Sequence, residues 1–575
     1  MMQKNNLSWK IGGEAGFGIK SAGLMFAQIF MKAGYEIFDY TEYPSLIRGG
    51  HNTYQLIVDT RPVNSVSREV DVLVALNINT INQNADELSS GGLIIYDSDK
   101  FKMPAKYQEH SFGIPLSTIA KEAGNELMRN VAAIGATLAL VGQKLDIAGR
   151  IVRENFQRKG GAVVANNIKA LKAGYDYVLK NHPVNFICVL PTRPPKDNIL
   201  IAANESLALG ALAAGLNFYA GYPMTPSSTI LQYLATVAQQ VGIVVKHAED
   251  EISVINMALG AAHVGARAMI ATSGGGFALM VESLGLTGIT ETPLVIVNVQ
   301  RPGPATGLPT WTEQGDLQFV LRAAQGDFPR IVLAPGDAQE AFELGAEAMN
   351  LAEIYQLPVI ILSDKFIAEG ITTNKRLTRK GIKINRGKLL TTSQLTNIKK
   401  YQRYKLTADG ISPRTVPGMS QGLFIANSDE HDEYGFSSES GTNRVAQVDK
   451  RQRKLETLAK KIPRPKIYGN LKAKKLIVIW GSTKGVVLDA YNELPEKQQK
   501  KIKIMHLQYI WPLAKNFIQE ALKKSKDVLL IENNSNAQLG QLIAQETGVL
   551  IKNKILKYDG RPFFREDIRR ALHNF

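Results

Sequence analysis

A single cysteine is all that the chain of 575 residues contains. That excludes an internal disulfide. It also excludes an iron–sulfur cluster held by this chain alone, because such clusters usually take four thiolates. Cys188 stands in the apolar stretch 184–190 and reads as a buried small hydrophobe. No apolar run approaches the length of a membrane span, and the opening MMQKNNLSWK has no signal-peptide core. A cytoplasmic protein that does not engage the membrane is expected. Acidic residues are in deficit: 52 Asp and Glu against 68 Lys and Arg leave a formal net charge of +16. Such a balance draws anionic substrates, an acidic protein partner or nucleic acid. RNP-like aromatic motifs, zinc-finger spacings and heptad basic regions are missing, which argues against nucleic acid. An internal repeat is missing as well.

Apolar residues make up 45% of the chain and charged residues 21%, the proportions of a globular protein. The length exceeds what one hydrophobic core serves and implies about three or four domains. Residues 8–182 alternate strand-like and helix-like patterns. A strand at 8–13 leads through glycines into the helical 21–33, with further strands at 70–76 and 92–96. This is an α/β pattern of Rossmann-like texture. A stretch rich in Pro, Asn and Asp at 191–198 closes it. From 199 to 371 a second α/β pattern follows. Its β-branched runs at 268–272, 294–299, 330–334 and 358–362 imply a parallel sheet covered on both faces. Beyond it the chain is polar, basic and irregular except for a charged helix at 443–462. Eleven Lys and Arg fall between Lys375 and Lys405, read first as a solvated linker and second as a docking surface. Strands at 475–480, 502–507 and 528–532 mark a third, smaller α/β unit. The expected fold is therefore three α/β domains, at 1–190, 191–371 and 471–575, with 372–470 as an irregular basic linker.

The stretch Gly221-Tyr222-Pro223-Met224-Thr225-Pro226-Ser227-Ser228 follows a small-residue helical pattern at 203–217 and a short apolar strand at 218–220. Two prolines three apart fit neither a helix interior nor a central strand, so the segment is a rigid loop at a strand's carboxyl end. Open α/β sheets place their ligands there. Thr225, Ser227 and Ser228 open the next helix, where hydroxyls cap the first N–H groups or leave them to an anion. A capped turn without a ligand stands beside the ligand loop as a reading. The carboxylates of His247-Ala248-Glu249-Asp250-Glu251 precede a small-residue helix, where the helix dipole alone would account for them. Thr272-Ser273-Gly274-Gly275-Gly276 joins a strand to a helix opening at Phe277, and its glycines suit a ligand, a facing subunit or plain tight packing. Arg301 ends a buried strand, a costly position unless an anion meets its planar fork. The loop Gly12-Gly13-Glu14-Ala15-Gly16-Phe17-Gly18-Ile19 could cradle phosphates, but its spacing is irregular for a dinucleotide fingerprint. Four carboxylates surround His431 between Asn427 and Glu433, an arrangement open to a divalent metal or to a solvated turn.

These motifs resemble those of the 2-oxoacid:ferredoxin oxidoreductases, thiamine-dependent enzymes that oxidise 2-oxoacids to acyl-CoA. Residues 221–228 are similar to the YPITP-type motif of the α subunit. The resemblance implies that Thr225 reaches the oxoacid and that Tyr222 and Pro223 face the cofactor. The run from Arg301 to Gln314 resembles the RPGPSTGLPT-x-x-EQ signature of 2-oxoglutarate-type α subunits. It implies Arg301 on the oxoacid carboxylate and Thr310 close by. Trp311 departs from the basic or polar residue of many relatives. Glu251 matches the carboxylate that engages the aminopyrimidine N1′, with Glu249 as the alternative and helix capping as the plain reading. Ser273 and Gly274 match a turn facing thiamine. Residues 12–19 and 42–52 resemble the opening and the SEYPSLIRGGHN signature of the γ subunit. That implies a γ domain, associated with coenzyme A handling and assembly, fused ahead of an α subunit. Arg48 would then meet a CoA phosphate or an internal carboxylate. Residues 427–433 and the turn Glu532-Asn533-Asn534 with Gln538 also have family counterparts, the latter structural.

The same resemblance implies a thiamin-diphosphate-binding-fold domain of the pyrimidine type at 191–371 and a transketolase C-terminal-like domain at 471–575. A GDG-type loop with its following Asn is missing. Thiamine diphosphate, Mg2+ and the iron–sulfur cluster are therefore expected mainly on a separate β subunit, with CoA as co-substrate, ferredoxin as acceptor and an α2β2 assembly. The implied reaction is oxidation of 2-oxoglutarate, with pyruvate or branched-chain oxoacids as alternatives. An NAD(P) dehydrogenase and a non-catalytic assembly subunit are the rival readings.

Overall fold

The computed structural model describes residues 5–46, 49–181, 186 and 188–575. Strand Asn6–Glu14 is buried from Leu7 to Gly13 and organises an eight-stranded sheet. On one side lie Val70–Ala75, Leu88–Asp97 and Ser111–Ile114, all parallel. On the other side His51–Asp59 and Glu36–Glu42 run antiparallel, followed by Ile371–Lys375 and Asn198–Ala202. The Rossmann-like expectation thus covers half of this sheet. The strands Glu36–Glu42 and His51–Asp59 are separated by too few residues for the long crossover that parallel neighbours need, which permits only antiparallel pairing. Trp9 sits at the centre of the core, its ring 4.4 Å from that of Phe26 and its Nε1 donating to Thr137 Oγ1 at 3.2 Å. Cys188 is buried here.

Two strands of this sheet come from beyond residue 190. Asn198–Ala202 leads into the second unit and Ile371–Lys375 leads out of it, and they pair with each other, Ala202 opposite Ile371 and Asn198 opposite Lys375. Between them lies a seven-stranded sheet in the order Tyr509–Trp511, Ile331–Leu333, Pro358–Asp364, Leu294–Gln300, Ala268–Thr272, Phe218–Gly221, Val244–His247. All are parallel except Tyr509–Trp511, an edge strand lent by the third unit. Alternate residues serve opposite faces. Met269, Ala271, Val295 and Val297 pack with helices Ala203–Ala213 and Ala338–Tyr355. Ala268, Ile270, Leu294 and Ile296 pack with helix Glu251–His263 and with Val478 and Trp480 of the third unit.

The third sheet has the order Lys466–Gly469, Ile502–Leu507, Lys475–Trp480, Asp527–Glu532, Asn553–Leu556 and is parallel apart from its first strand. It is fastened to the second unit through a buried polar cluster: Lys484 bonds Asp337 and Glu340, and His506 lies 3.8 Å from Glu340.

The basic segment is mostly exposed between Lys375 and Lys405, as a solvated stretch would be, but Arg403 is buried. It and helix Gly441–Ala459 carry cations into the interior. Lys450 and Lys454 both pair with the buried Glu291, and Arg403 donates to the Glu291 carbonyl at 2.8 Å. Burial pushes the Glu291 carboxyl up, yet the three cations outweigh it and hold it well below the usual carboxylate range. The carboxylates of 427–433 are likewise spent internally. Glu430 pairs with Arg444 and Arg451, Asp432 accepts from the Tyr434 and Phe436 amides, and the His431 ring packs tilted against that of Tyr404. They form a structural turn. Among the described residues no helix is long and apolar enough to cross a membrane.

Candidate active site

In the second sheet the first strand, Phe218–Gly221, has the second strand on one side and the third, Ala268–Thr272, on the other. Chain order reverses there, so the loops at the carboxyl ends of these two strands diverge and open a crevice. Three loops meet at it: 222–227, 273–276 and 301–316. Arg301 leaves the end of Leu294–Gln300 and donates from Nη1 to the Thr225 carbonyl at 2.6 Å, which brings these two predicted residues together. Its Nε is buried without a partner. Burial lowers the guanidinium's pKa, and Asp316 and Glu251 pull it back up, which places both carboxylates around it.

Glu251 is 3% exposed, and its Oε1 has no hydrogen-bond partner. It is the first residue of helix Glu251–His263, but the cap is Asp250, which accepts from the Ser253 amide at 2.7 Å. The capping reading therefore belongs to Asp250 and not to Glu251. Opposite lies the glycine run. A Cβ on residue 276 would fall 2.6 Å from Glu251 Oε1 and 2.1 Å from Thr272 Oγ1, and one on residue 274 would fall 2.6 Å from Asp316 Oδ2. Gly274 and Gly276 leave room for two carboxylates in the space a side chain would take. The glycine run forms the first turn of helix Gly274–Leu279, so that helix starts three residues before the expected Phe277. Ser273 is fully buried with an unpartnered hydroxyl.

The hydroxyls of 225–228 do not cap the helix Ser228–Val241. Ser227 already has helical dihedrals (φ −77°, ψ −15°), so its hydroxyl turns back and donates to Met224 O at 2.7 Å. An N-cap normally sits in the extended region, from which its oxygen can reach the N2 or N3 amide. Tyr222 and Pro223 stand exposed at the rim, the Tyr222 ring 6.4 Å from that of His247, rather than inside with Glu251. Arg48 lies outside the described residues.

Sequence reasoning passed over Asp316. Its Oδ2 accepts from Asn298 Nδ2 at 3.0 Å and its amide donates to Gln300 Oε1 at 3.0 Å. Burial pushes its carboxyl up to about 6, against the pull of the Asn298 bond and of Arg301. Burial also lifts Glu313 to about 7, helped by the like charges of Asp316 and Asp559. The signal was Asn298 and Gln300, two polar residues in a buried strand whose other members are apolar.

The third unit clasps the loop 301–316. Asn533 O accepts from the Gln314 amide at 2.7 Å, Gln314 Oε1 accepts from the Asn533 amide at 2.9 Å, and Gln538 donates to Gly315 O at 2.6 Å. The turn 532–538 is thus structural, holding the site loop. Thr310 is 3% exposed with an unpartnered hydroxyl. It lines a cavity of about 950 Å3 bounded by residues 42–46, 50–51 and 306–311 together with Arg68, Arg561 and Phe564. All three units contribute to this cavity. His51 lines it too, its pKa lowered by burial against the pull of Asn84 beside it.

Residues 209–450 match the family described as "Pyruvate flavodoxin/ferredoxin oxidoreductase, thiamine diP-bdg", and residues 8–177 match "Pyruvate ferredoxin/flavodoxin oxidoreductase". The chain is 34% identical to the 2-oxoacid:ferredoxin oxidoreductase subunit alpha of Saccharolobus solfataricus, over 98% of this chain and 97% of that one. It is 30% identical to the 2-oxoglutarate oxidoreductase subunit KorA of Mycobacterium tuberculosis, over 99% and 91%. Among solved structures, the 2-oxoglutarate:ferredoxin oxidoreductase from Magnetococcus marinus, with 2-oxoglutarate, coenzyme A and succinyl-CoA bound, superposes with a TM-score of 0.92. It is 33% identical, and each chain is covered in full.

Proposed function

The chain belongs to the 2-oxoacid:ferredoxin oxidoreductase family, and from that premise we propose that it is an α-type subunit whose preferred oxoacid is 2-oxoglutarate. Residues 1–190 serve as its γ-like domain, 191–371 as the thiamine-fold unit, 372–470 as the connecting region and 471–575 as the transketolase C-terminal-like unit. One 2-oxoacid anion and one CoA give acyl-CoA, CO2 and a proton, and two electrons pass to two ferredoxins; with 2-oxoglutarate the product is succinyl-CoA. The observation that carries this reading is the pairing, in one crevice, of an arginine whose Nε has no partner with a carboxylate whose Oε1 has none.

The residues fit a thiamine site. Glu251 offers a buried carboxylate oxygen in a cradle that a Cβ on residue 276 would fill. When bound, thiamine diphosphate supplies a nucleophilic carbon for the oxoacid carbonyl and takes up the electrons released with CO2. Glu251 holds and returns a proton at its Oε1. Ser273 and Gly274 line the adjoining turn, with Tyr222 and Pro223 at the rim. Arg301 binds the oxoacid carboxylate through its fork, a geometry that a lysine would not reproduce. Thr225 and Thr310 add hydroxyls that fix its orientation.

The two helices that start at the crevice carry apolar side chains outward: Ile252 and Met257 on Glu251–His263 and Leu279 on Gly274–Leu279 are each about half exposed. An apolar patch beside a reactive site suits a covering chain. We assign that place to a β subunit bearing most of the contacts to thiamine diphosphate and Mg2+, and the iron–sulfur cluster that one cysteine cannot hold, in an α2β2 assembly in the cytoplasm. Arg48 and the γ-like domain are assigned to CoA. Co-purified with that partner, the complex should reduce viologen in a CoA-dependent manner with 2-oxoglutarate. A preference for pyruvate would keep the enzyme and overturn its substrate. No reduction by an intact, cluster-loaded complex with any oxoacid would favour an assembly role.

A further inference from the structure

Two arginines in the 950 Å3 cavity lie on aromatic rings, and they differ in one respect. Arg68 stacks 4.5 Å from the Phe564 centroid and is closed by Asp567, to which its Nη2 donates at 3.0 Å. Arg561 stacks 3.2 Å from the centroid of Trp311. Its amide is taken by Asp559 at 2.9 Å, but among the described residues its guanidinium has neither a hydrogen bond nor an ion pair. The carboxylates of the same cavity come from the first unit, where Glu87 pairs with Lys10 and Glu42 accepts from Thr53.

The backbone beneath Arg561 is fixed. Gly560 O accepts from the Thr312 amide at 3.1 Å, and Asn533 Nδ2 donates to Lys557 O at 2.7 Å and to Arg561 O at 3.3 Å. Gly560 has φ +77°, and a Cβ there would meet Leu308 Cδ1 at 2.8 Å, so the turn is seated against the 301–311 loop. A guanidinium held flat on an indole keeps its N–H edges free and oriented, which is how a fork recognises two oxygens of one anion. Thr310, next to Trp311, adds a buried hydroxyl without a partner in the same cavity.

We propose that Arg561, laid on Trp311, is the clamp for an oxyanion of the reactants. The oxyanion is carried either by the far end of a dicarboxylic oxoacid or by the phosphates of CoA. Trp311 thereby serves as the platform for a cation delivered from the third unit. The proposal rests on the reading of the protein as an oxoacid oxidoreductase subunit.

The test uses the complex with its partner chain, in wild-type form and with Arg561→Gln and Arg561→Lys. KM is measured for 2-oxoglutarate, pyruvate, CoA and dephospho-CoA, and binding of CoA and of 2-oxoglutarate is titrated by calorimetry. Loss of a bidentate charge-assisted pair should raise one KM by roughly tenfold to a hundredfold, with Arg561→Lys recovering part of it. A rise for 2-oxoglutarate that pyruvate does not share assigns the oxoacid's distal carboxylate. A rise for CoA with either oxoacid, smaller for dephospho-CoA, assigns the phosphates. Unchanged KM values and binding constants, or a fall in kcat alone, would overturn the clamp. If Arg561→Gln fails to assemble, Arg561→Lys carries the comparison. A wild-type complex inactive with every oxoacid counts against the functional reading instead, and the calorimetric comparison then decides the clamp by itself.

Discussion

Glu251 holds an unpartnered carboxylate oxygen in a space that Gly276 leaves open. Nothing in the fold needs it there, since the helix is capped by the neighbouring Asp250. Buried groups with unmet hydrogen-bonding capacity cost stability, and a protein keeps them where they do chemistry. Glu251→Gln keeps the shape and removes the exchangeable proton. In the active complex it should lower kcat by about a hundredfold or more, the usual scale of general acid–base contributions. Thermal stability should stay level or rise. Turnover within threefold of wild type would remove Glu251 from the mechanism and turn attention to Asp316.

At the scale of elements, Glu291 ties helix Gly441–Ala459 to the second unit by meeting Lys450 and Lys454. Burial, against the pull of Glu291, lowers Lys454 to about 7. Glu291→Gln would leave these lysines and Arg403 facing one another in the interior. The loss should be about 3–5 kcal/mol, the range for removing one partner of a buried pair, read as a lower denaturant midpoint. A shift under 1 kcal/mol would mean that water reaches the cluster.

Elements of this kind mark where the sequence was legible. Strands Ala268–Thr272, Lys475–Trp480 and Ile502–Leu507 stand where β-branched runs put them, because a strand buried on both faces has little freedom of composition. The charged helix expected at 443–462 runs Gly441–Ala459, and its sequence could not name the partner of its lysines, Glu291, about 160 residues away. Ser227 was misjudged because hydroxyl identity does not reveal whether the residue has already turned helical. The loops carrying Thr225, Arg301 and Thr310 were visible as punctuation after strands. Arg561 was invisible, since its platform, Trp311, is some 250 residues upstream and only the packing of the third unit joins them.

At the scale of the whole molecule, His506 lies between the second and third units, fully buried, 3.8 Å from Glu340. Burial lowers its pKa to about 4, against the pull of Glu340. The unfolded chain, with an ordinary imidazole near 6.5, therefore binds more protons than the folded one between these values. Stability falls as pH drops from about 6.5 to 4, by up to about 3 kcal/mol, and is flat above that window as far as this residue is concerned. Urea midpoints measured across pH 4–8 should show the slope, and His506→Gln should flatten it. An unchanged slope in the variant would assign acid sensitivity elsewhere.

The paired strands Asn198–Ala202 and Ile371–Lys375 close the neck of the second unit against the first sheet. Against the first sheet that neck is held by the pairing of Thr372 with Phe38, by Ile37 N donating to Thr373 Oγ1 at 2.9 Å and by Ile371 N donating to Asp39 Oδ1 at 2.6 Å. The covalent join at 191–198 sets the arithmetic of the two units. Every second unit is made with one first unit already at hand, at a local concentration that no dilution changes. Their stoichiometry is written into translation.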